Sequence, residues 1–247
     1  KAIPSMCVLV VKTNKDGQPD RAKSRIVVLG NFEDRIYKKS QRYAPVLKYD
    51  SLRLLTAKAV ADKRILQQGD CKNAFCNATL PDDEATVIRP PIGDPAYHNN
   101  EYWLLNKTLY GLRRSPHHWY NMVTSILRDM NLSPSKHDPC LYTGILSDLT
   151  APTSSPTDSP LRSPSTSASI TLPLSLPTDH ANRATINVGL YVDDFVFYST
   201  SQAEEDLFQK LFQAKLTADF MGDIEYFLGT AFTWTCHYND HLSVHLS

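Results

Sequence analysis

The chain has 247 residues, of which 42% are apolar, and its 26 Lys and Arg balance 26 Asp and Glu. This apolar fraction is large enough for a sizeable core, arranged as one domain or as two small ones. No apolar run reaches the length of a membrane span, no signal peptide opens the chain, and a net charge of zero argues against a uniformly basic nucleic-acid binder.

Charge is nevertheless distributed unevenly along the chain. Residues 1–64 contain 15 Lys and Arg against 6 Asp and Glu, whereas the remainder contains 11 against 20. A basic N-terminal part that faces an acidic, metal-binding part would suit a polyanion held over a metal site. The alternative, that the basic side chains are simply solvated, stays open at this stage.

The five cysteines favour a reducing environment. Cys7, Cys71, Cys76, Cys140 and Cys236 are dispersed, and no Cys-x-x-Cys pair occurs among them. The spacing therefore indicates neither a zinc module nor a disulfide framework, and we expect an intracellular protein. Since no initiator Met stands at the start, we also expect the chain to be cut from something longer.

The N-terminal part predicts a basic hairpin followed by a helix. Residues 5–12 form the first strand, residues 14–17 the turn, and residues 23–30 the returning strand. Ser51 precedes apolar residues at helical spacing, so it is interpreted as the N-cap of a helix over residues 51–63.

The rest of the chain predicts short strands and two further helices. Pro116, in a first helical turn, begins a helix that ends near residue 131. Thr200 or Ser201 caps another, which ends near Leu216. The predicted strands are residues 65–71, 86–89, 102–106, 141–146, 187–190 and 195–199, with a closing hairpin from residues 226–235 and 242–245.

Residues 147–185 break this pattern because Ser, Thr and Pro dominate them. They contain no aromatic residue and little charge. Such a segment does not bury enough apolar surface to offset its ordering entropy, which predicts a disordered surface insertion between two strands. A regulatory or partner-binding function for the insertion stays open as an alternative.

The most informative stretch is Tyr191-Val192-Asp193-Asp194, which lies between two apolar runs. The flanking runs predict the two strands of a tight hairpin. Two adjacent carboxylates repel each other, and a divalent cation relieves that repulsion most directly. A third carboxylate from elsewhere in the chain would complete a two-metal site for phosphoryl transfer.

Asp70 is the candidate for the third carboxylate. It lies near the end of the buried strand predicted over residues 65–71, and a turn comes directly after it, so we expect it beside Asp193 at a strand end. The backbone carbonyl of Cys71 is a further candidate ligand. Taken alone, Asp70 could equally be a helix N-cap or a turn residue, since Asp is common at both.

Further motifs recur in a fixed order along the chain. They are residues 23–28, 43–46, 51–55, 70–77, 109–112, 115–116 with Trp119, 138–142, 191–194 and 226–229. In this order they resemble the reverse transcriptase of copia-type long-terminal-repeat retrotransposons. The resemblance extends over roughly residues 1–146 and 186–247, which is all of the chain except the insertion.

The resemblance implies an α+β fold, a right-hand polymerase with fingers and palm. In it an antiparallel palm sheet packs on helices and contains the catalytic Tyr-Val-Asp-Asp hairpin. The implied fingers are residues 1–66 and 78–113, and the implied palm is residues 67–77, 114–146 and 186–247. The last palm range contains the catalytic hairpin, a helix and a primer-holding hairpin. The disordered insertion is residues 147–185. We expect neither a thumb nor a ribonuclease H segment in this chain.

The resemblance also implies the roles of the carboxylates. Asp70, Asp193 and Asp194 would be the catalytic, metal-binding triad, with Asp193 a firmer ligand than Asp194 and the Cys71 carbonyl as an added ligand. Two Mg²⁺ ions would serve the reaction, with Mn²⁺ as a substitute. One would activate the primer 3′-hydroxyl, and the other would hold the triphosphate.

Nucleotide-binding residues follow from the same resemblance. Lys23 and Arg25 would contact the triphosphate, and strand alternation puts both on one face. Phe75 would be the steric gate that excludes a 2′-hydroxyl, and Tyr110-Gly111 would shape the nucleotide pocket. The alternatives are a solvated strand edge for the two cations and ordinary core packing for Phe75.

Nucleic-acid contacts are implied at three further places. Arg113-Arg114 stands where the family more often has Lys-Gln, and we expect a template phosphate contact there. Tyr191 would pack beside the primer terminus. The hairpin with Tyr226, Leu228 and Gly229 would hold the primer end, although core packing of its aromatic residues is an equal alternative.

The sequence as a whole therefore predicts an RNA-directed DNA polymerase that adds deoxynucleotides to a primer on an RNA or DNA template. The expected partners are the template and primer, dNTPs and the rest of a Pol polyprotein, including integrase and ribonuclease H, without a membrane. Cytoplasmic particle and nucleus are not distinguished, and no oligomeric state is indicated. The alternatives are an inactive relic or domesticated nucleic-acid-binding module of the same fold, and another palm-type two-metal enzyme such as a nucleotide cyclase.

Overall fold

The computed structural model describes residues 1–13, 16–147, 184–236 and 241–247 and shows a mixed α and β fold. The α-helices are α1 (Lys39–Arg42), α2 (Tyr49–Ala61), α3 (Pro95–His98), α4 (Ser115–Asp129) and α5 (Gln202–Gln213). The strands are β1 (Ile3–Thr13), β2 (Pro19–Val28), β3 (Gln67–Cys71), β4 (Thr86–Arg89), β5 (Trp103–Leu105), β6 (Leu132–Pro134), β7 (Leu141–Gly144), β8 (Ile186–Tyr191), β9 (Asp194–Ser199), β10 (Ala218–Asp223), β11 (Tyr226–Phe227), β12 (Thr230–Cys236) and β13 (Leu242–Leu246). No helix in the described ranges is long and apolar enough to cross a membrane.

The largest sheet has six strands in the order β10-β3-β9-β8-β7-β6, and all neighbouring strands are antiparallel. Every residue of β8 from Ile186 to Leu190 is buried, as is every residue of β9 from Phe195 to Ser199. Both faces of these central strands are therefore covered, which explains their continuous apolar runs. Helices α2, α4 and α5 contribute buried apolar side chains to the same core.

An aromatic cluster joins this sheet to α5. The ring of Phe195 in β9 lies 5.1 Å from that of Phe212 in α5 and 5.4 Å from that of Phe220 in β10, between centroids. Phe197 and Phe208 belong to the same cluster. Because such contacts add to the burial of large apolar surfaces, the part of the sheet next to Asp194 is firmly packed.

A second sheet has the order β2-β1-β4-β5 and a much smaller core. That core consists of Ile3, Val28, Leu80, Ile88 and Leu112. β1 pairs with β4 in parallel through Ile3 and Pro4, and beyond this contact β1 and β2 continue as a long antiparallel pair. We call this pair, residues 5–13 and 19–28, the β1–β2 arm.

Of two helix starts that the sequence predicts, one depends on a contact that is distant in sequence. The prediction that Ser51 caps α2 is wrong, because α2 begins at Tyr49 and its N-cap is Lys48. The Asp138 carboxylate caps this end by accepting a hydrogen bond from the Lys48 backbone N–H at 2.9 Å. For α4 the prediction is confirmed, since the helix begins at Ser115 with Pro116 in its first turn.

Strand β10 was not predicted, and the preceding helix is shorter than expected, ending at Gln213. The sequence of β10 contains two Asp and a Gly, which have low strand propensity. It forms a strand because it pairs with β3, where Ala218 lies opposite Cys71 and Asp219 opposite Asp70. The closing hairpin is confirmed as β12 and β13, but its predicted first strand, residues 226–235, is divided by a turn into β11 and β12, and the three strands form one sheet.

Some predictions fall outside the described residues. The disordered insertion was predicted over residues 147–185, and residues 148–183 are not described. The described start of this segment meets α5: the Glu204 carboxylate accepts hydrogen bonds from the backbone N–H groups of Ser147 and of the preceding Leu146, both at 3.0 Å. The predicted turn over residues 14–17 is likewise described only in part.

Candidate active site

Four residues lie in one row across the six-stranded sheet. Asp219 of β10 is opposite Asp70 of β3, Asp70 is opposite Asp194 of β9, and Asp194 is opposite Tyr191 of β8. Residues directly opposite in an antiparallel ladder have their side chains on the same face. The row therefore places three carboxyl groups on one face of the sheet. We call the four residues of this row, together with Asp193, the acidic end of the sheet.

Asp193 lies in the two-residue turn between β8 and β9, after Val192. The Cys71 backbone N–H donates a hydrogen bond of 2.7 Å to the Asp193 carbonyl oxygen. This bond joins the turn to the residue that directly follows Asp70. Backbone pairing thus brings Asp70 next to the Asp pair, as the sequence predicts. Tyr191 lies on β8, the strand next to β9.

A cavity of about 300 Å³ separates the acidic end from strand β2. Arg21, Lys23 and Arg25 line one side of it, and we call them the basic strand. The other lining residues include Asp70, Cys71, Lys72, Asn73, Tyr110, Asp193 and Asp219. Two residue sets from separate sheets, one cationic and one anionic, therefore face each other across one open space.

Burial and repulsion by neighbouring carboxylates raise the pKa of each carboxyl in the predicted triad, and for Asp70 the repelling neighbour is Asp219. Burial is the main cause for Asp70 and Asp193, and Lys23 and Arg25 act in the opposite direction on both pKa values. Burial and the charges of Asp70 and Asp193 raise the pKa of Asp194 to about 6. Because Asp194 retains exposed surface, solvent screens part of this effect. A cation at this end would favour the ionised carboxylates.

The donor set fits a hard divalent cation that also takes ligands from substrate. Within the described ranges, no three carboxyl, imidazole or thiol groups are gathered closely enough to form a ready metal-binding group. Mg²⁺ usually takes one or two protein carboxylates and fills its other positions with water and substrate phosphate. Asp70 and Asp193, which line the same cavity, match that requirement. The Cys71 thiol does not add to this donor set, because burial raises its pKa and keeps it protonated.

Tyr110 lines this cavity and, with Arg25 and Phe75, forms a group that we call the aromatic stack, although Phe75 itself lines a separate apolar cavity with Trp119 and Val192. The Arg25 guanidinium carbon lies 5.2 Å from the centroid of the Tyr110 ring, and the Phe75 ring meets Tyr110 edge-on at 5.0 Å. Among the residues that the structure describes, none forms a hydrogen bond with the buried Arg25 Nε. A buried cationic donor without a partner is costly, so this atom is suited to an anionic ligand in the cavity.

Comparison with known proteins identifies the family. A family model described as reverse transcriptase (RNA-dependent DNA polymerase) matches residues 1–148, more than half of the chain. The chain belongs to the reverse transcriptase family. The match includes Asp70, Lys23 and Arg25 and ends before the hairpin with Asp193.

Three plant relatives support the same assignment. The chain is 30% identical over 141 residues to the retrovirus-related Pol polyprotein from transposon TNT 1-94 of Nicotiana tabacum, which covers 56% of this chain and 10% of that protein. Over 135 residues it is 30% and 29% identical to the corresponding polyproteins from transposons RE1 and RE2 of Arabidopsis thaliana, covering 55% of this chain and 9% of each protein. The predicted resemblance to retrotransposon reverse transcriptases is thereby confirmed, and the matched part spans about a tenth of these relatives.

Gly111 of this reverse transcriptase chain has a structural reason to be glycine. Its φ is +92°, and a Cβ atom there would lie 1.9 Å from the Val28 carbonyl oxygen. The adjacent Tyr110 carbonyl accepts a hydrogen bond from the Val28 N–H at 2.8 Å. Gly111 thus lets the chain approach β2 closely and sets Tyr110 beside Arg25, while Gly111 itself does not line the cavity.

Arg113 and Arg114 both make internal contacts. Arg114 forms an ion pair with Glu84, and its guanidinium lies 5.4 Å from the Tyr37 ring centroid. Arg113 donates to the Asn31 carbonyl at 3.3 Å. These contacts favour a structural role for Arg114, in place of the predicted template contact, because its charge is already paired in a largely buried position.

The predicted primer-holding residues lie in or beside a second two-residue turn. Leu228 and Gly229 connect β11 to β12, with φ values of +50° and +78°, and both positive values are typical of a type I′ hairpin. Tyr226 is 62% exposed, whereas Phe227 is buried. The hairpin is therefore anchored by Phe227 and presents Tyr226 to solvent, as a contact surface requires.

Several residues at the site were not predicted to act there. Asp219 and Lys72 line the cavity and form an ion pair of 2.7 Å, and Arg21 extends the basic strand. The alternation Arg21, Lys23, Arg25 was visible in the sequence and could have indicated Arg21. Asp219 carried no such signal, because its place depends on the unpredicted pairing of β10 with β3.

Proposed function

We propose that this reverse transcriptase chain catalyses RNA-directed DNA synthesis by two-metal nucleotidyl transfer. The observation that supports this most is the single cavity with Asp70 and Asp193 on one side and Lys23 and Arg25 on the other. An incoming nucleotide has a polyanionic triphosphate, which needs cationic donors along its length and metal-bridged carboxylates at its reacting phosphorus. A cavity with a cationic side and an anionic side meets both needs.

In this proposal each side of the cavity has its own task. Asp70, Asp193 and Asp194 would hold two Mg²⁺ ions, with Mn²⁺ as a substitute and the Cys71 carbonyl as an added ligand. When bound, these ions polarise the phosphate and lower the pKa of the primer hydroxyl. Lys23 and Arg25 would bind the β- and γ-phosphates, so that the 3′-oxygen bonds to the α-phosphorus, its proton passes to solvent and pyrophosphate leaves.

The aromatic stack is proposed to select the sugar. Phe75 touches Tyr110, and Tyr110 lines the cavity beside Arg25. A ring at this position would occupy the space that a ribose 2′-hydroxyl needs, while a deoxyribose would pack against it. Tyr191 would lie beside the primer terminus, and the turn with Tyr226, Leu228 and Gly229 would support the primer end.

The two sheets then correspond to the parts of a polymerase hand. We propose that the four-stranded sheet with the β1–β2 arm belongs to the fingers and the six-stranded sheet to the palm. Template, primer and dNTPs would be the ligands, and the remaining parts of a Pol polyprotein, such as integrase and ribonuclease H, would be the protein partners. We place the activity inside the cell, because the spacing of the dispersed cysteines indicates no disulfide framework.

Primer extension on the purified chain tests the proposal. With an RNA template, a DNA primer and dNTPs, we expect incorporation that needs Mg²⁺ and falls roughly 100-fold or more in Asp193→Asn. The matched control is Asp223→Asn, because Asp223 lies on β10 near Asp219 but outside the cavity, where its carboxylate accepts from Gln67 at 3.3 Å. Equal rates in the two variants, or no incorporation by the chain, would contradict the proposed function.

A further inference from the structure

The turn that presents Asp193 has a backbone conformation that its sequence disfavours. Val192 has a φ of +54°, in the left-handed region. A β-branched residue is rarely found there, because its side chain crowds the backbone. The surrounding structure must therefore hold Val192 in place.

Two hydrogen bonds from outside the hairpin hold the peptide groups on either side of Asp193. The Trp119 indole Nε1–H of α4 donates to the Val192 carbonyl oxygen at 2.7 Å. On the other side, the Cys71 N–H of β3 donates to the Asp193 carbonyl oxygen at 2.7 Å. The Val192 carbonyl and the Asp193 N–H belong to one peptide plane, so fixing that carbonyl also fixes the direction in which the chain enters Asp193.

Trp119 is placed so that the bond to Val192 is difficult to replace. Its side chain is among the largest fully buried ones of the protein, with 2% of the residue exposed. A buried indole N–H needs an acceptor, and a shielded carbonyl that has lost its donor is costly to leave unpaired. The two groups satisfy each other, and this bond joins α4 to the turn.

We propose that Trp119 is a positioning residue for Asp193: its indole N–H holds Val192 in the left-handed conformation that aims the Asp193 carboxylate into the cavity with Asp70. Its effect on catalysis rests on the proposed polymerase function. The positioning contact itself involves only the described residues of α4, β3 and the turn between β8 and β9.

A double-mutant cycle tests this role. Trp119→Phe removes the N–H but keeps an aromatic ring, and we expect kcat for nucleotide addition to fall roughly tenfold with KM for dNTP changed less than about twofold. Val192→Gly lets the turn adopt positive φ without side-chain strain. In the Val192→Gly background, Trp119→Phe should therefore lower kcat by no more than about threefold.

Trp234→Phe is the matched control. The Trp234 indole also donates to a backbone carbonyl, that of Ile224 at 3.2 Å, but on β12 and away from the turn. We expect this variant to leave kcat within about twofold and to show no coupling to Val192→Gly. The same loss of kcat from Trp119→Phe in both backgrounds, or an equal loss in Trp234→Phe, would overturn the proposal.

Urea unfolding of the same variants separates this proposal from the proposed function. The decrease in unfolding midpoint caused by Trp119→Phe should be smaller in the Val192→Gly background, whether or not the chain polymerises DNA. Additive midpoints would refute the contact with the turn. Coupled midpoints in a chain without polymerase activity would support the contact and reject the proposed function alone.

Discussion

The two sides of the cavity belong to sheets that differ in the size of their cores. The acidic end belongs to a six-stranded sheet whose core includes β3, β8 and β9 and three helices. The basic strand belongs to the β1–β2 arm, which joins its small core at the start of β1 and the end of β2, through Ile3 and Val28, and leaves Leu9 76% exposed. Carboxylates that repel one another thus stand on the firmly packed part, and the cations stand on a part with lower expected local stability.

The largest expected effect tests this difference in packing. Leu66→Ala, next to β3, removes a residue that is 0% exposed in the large core, and we expect a loss of about 4 kcal/mol in the free energy of unfolding. Leu112→Ala makes the same change in the small core, where the residue is 6% exposed, and should cost about 2 kcal/mol. Urea unfolding gives both values, and equal or reversed losses would remove the contrast between the two cores.

The cations of the basic strand should differ in their contributions to nucleotide binding. Arg25 stacks on Tyr110, and its buried Nε has no hydrogen-bond partner in the described part of the chain, so Arg25→Gln should raise KM for dNTP roughly 30-fold. Arg21 is more exposed, and Arg21→Gln should raise KM less than about threefold. Steady-state kinetics measures both, and a larger effect at Arg21 would show that the triphosphate binds elsewhere along β2.

Phe75 touches Tyr110 and tests whether the stack selects the sugar. Phe75→Ala should raise the relative efficiency of ribonucleotide incorporation by about tenfold, since the ring no longer fills the space of a 2′-hydroxyl. Phe75→Tyr keeps the ring and serves as the control. Unchanged sugar selectivity in Phe75→Ala would mean that this residue only packs the interior.

The smallest effect concerns pH and the acidic end. Because the pKa of Asp194 is raised to about 6 in the folded chain, the folded state binds more protons than the unfolded state between about pH 4 and pH 6. Without Mg²⁺, stability contributed by this group should therefore decrease as pH rises through that window. Asp194→Asn should raise the thermal midpoint slightly at pH 7 and not at pH 4, and a lowered midpoint at pH 7 would contradict the repulsion.

Sequence patterns were sufficient to predict the elements whose deciding contacts are local. The strands around Asp193 follow from apolar runs on both sides of a turn, and α4 follows from Pro116. The meeting of Asp70 with the Asp pair was also predictable, because both lie at strand ends. These features depend on neighbouring residues and a shared edge of one sheet.

Other features depend on contacts between distant residues, and the sequence did not indicate them. β10 exists through its pairing with β3, although Gly222 and its two Asp disfavour a strand. The start of α2 is set by Asp138, 90 residues away. The internal ion pair of Arg114 with Glu84 and the bond from Trp119 to Val192 likewise require the folded arrangement of separate elements.

The central claim is that the acidic end and the basic strand act as one nucleotide site. Titration calorimetry of dNTP binding, with Mg²⁺ and with a chelator, tests it most directly. We predict that Mg²⁺ tightens binding roughly tenfold or more, that Asp70→Asn abolishes this gain, and that Arg25→Gln weakens binding in both conditions. The same dNTP affinity with and without Mg²⁺, unaffected by Asp70→Asn, would contradict the claim.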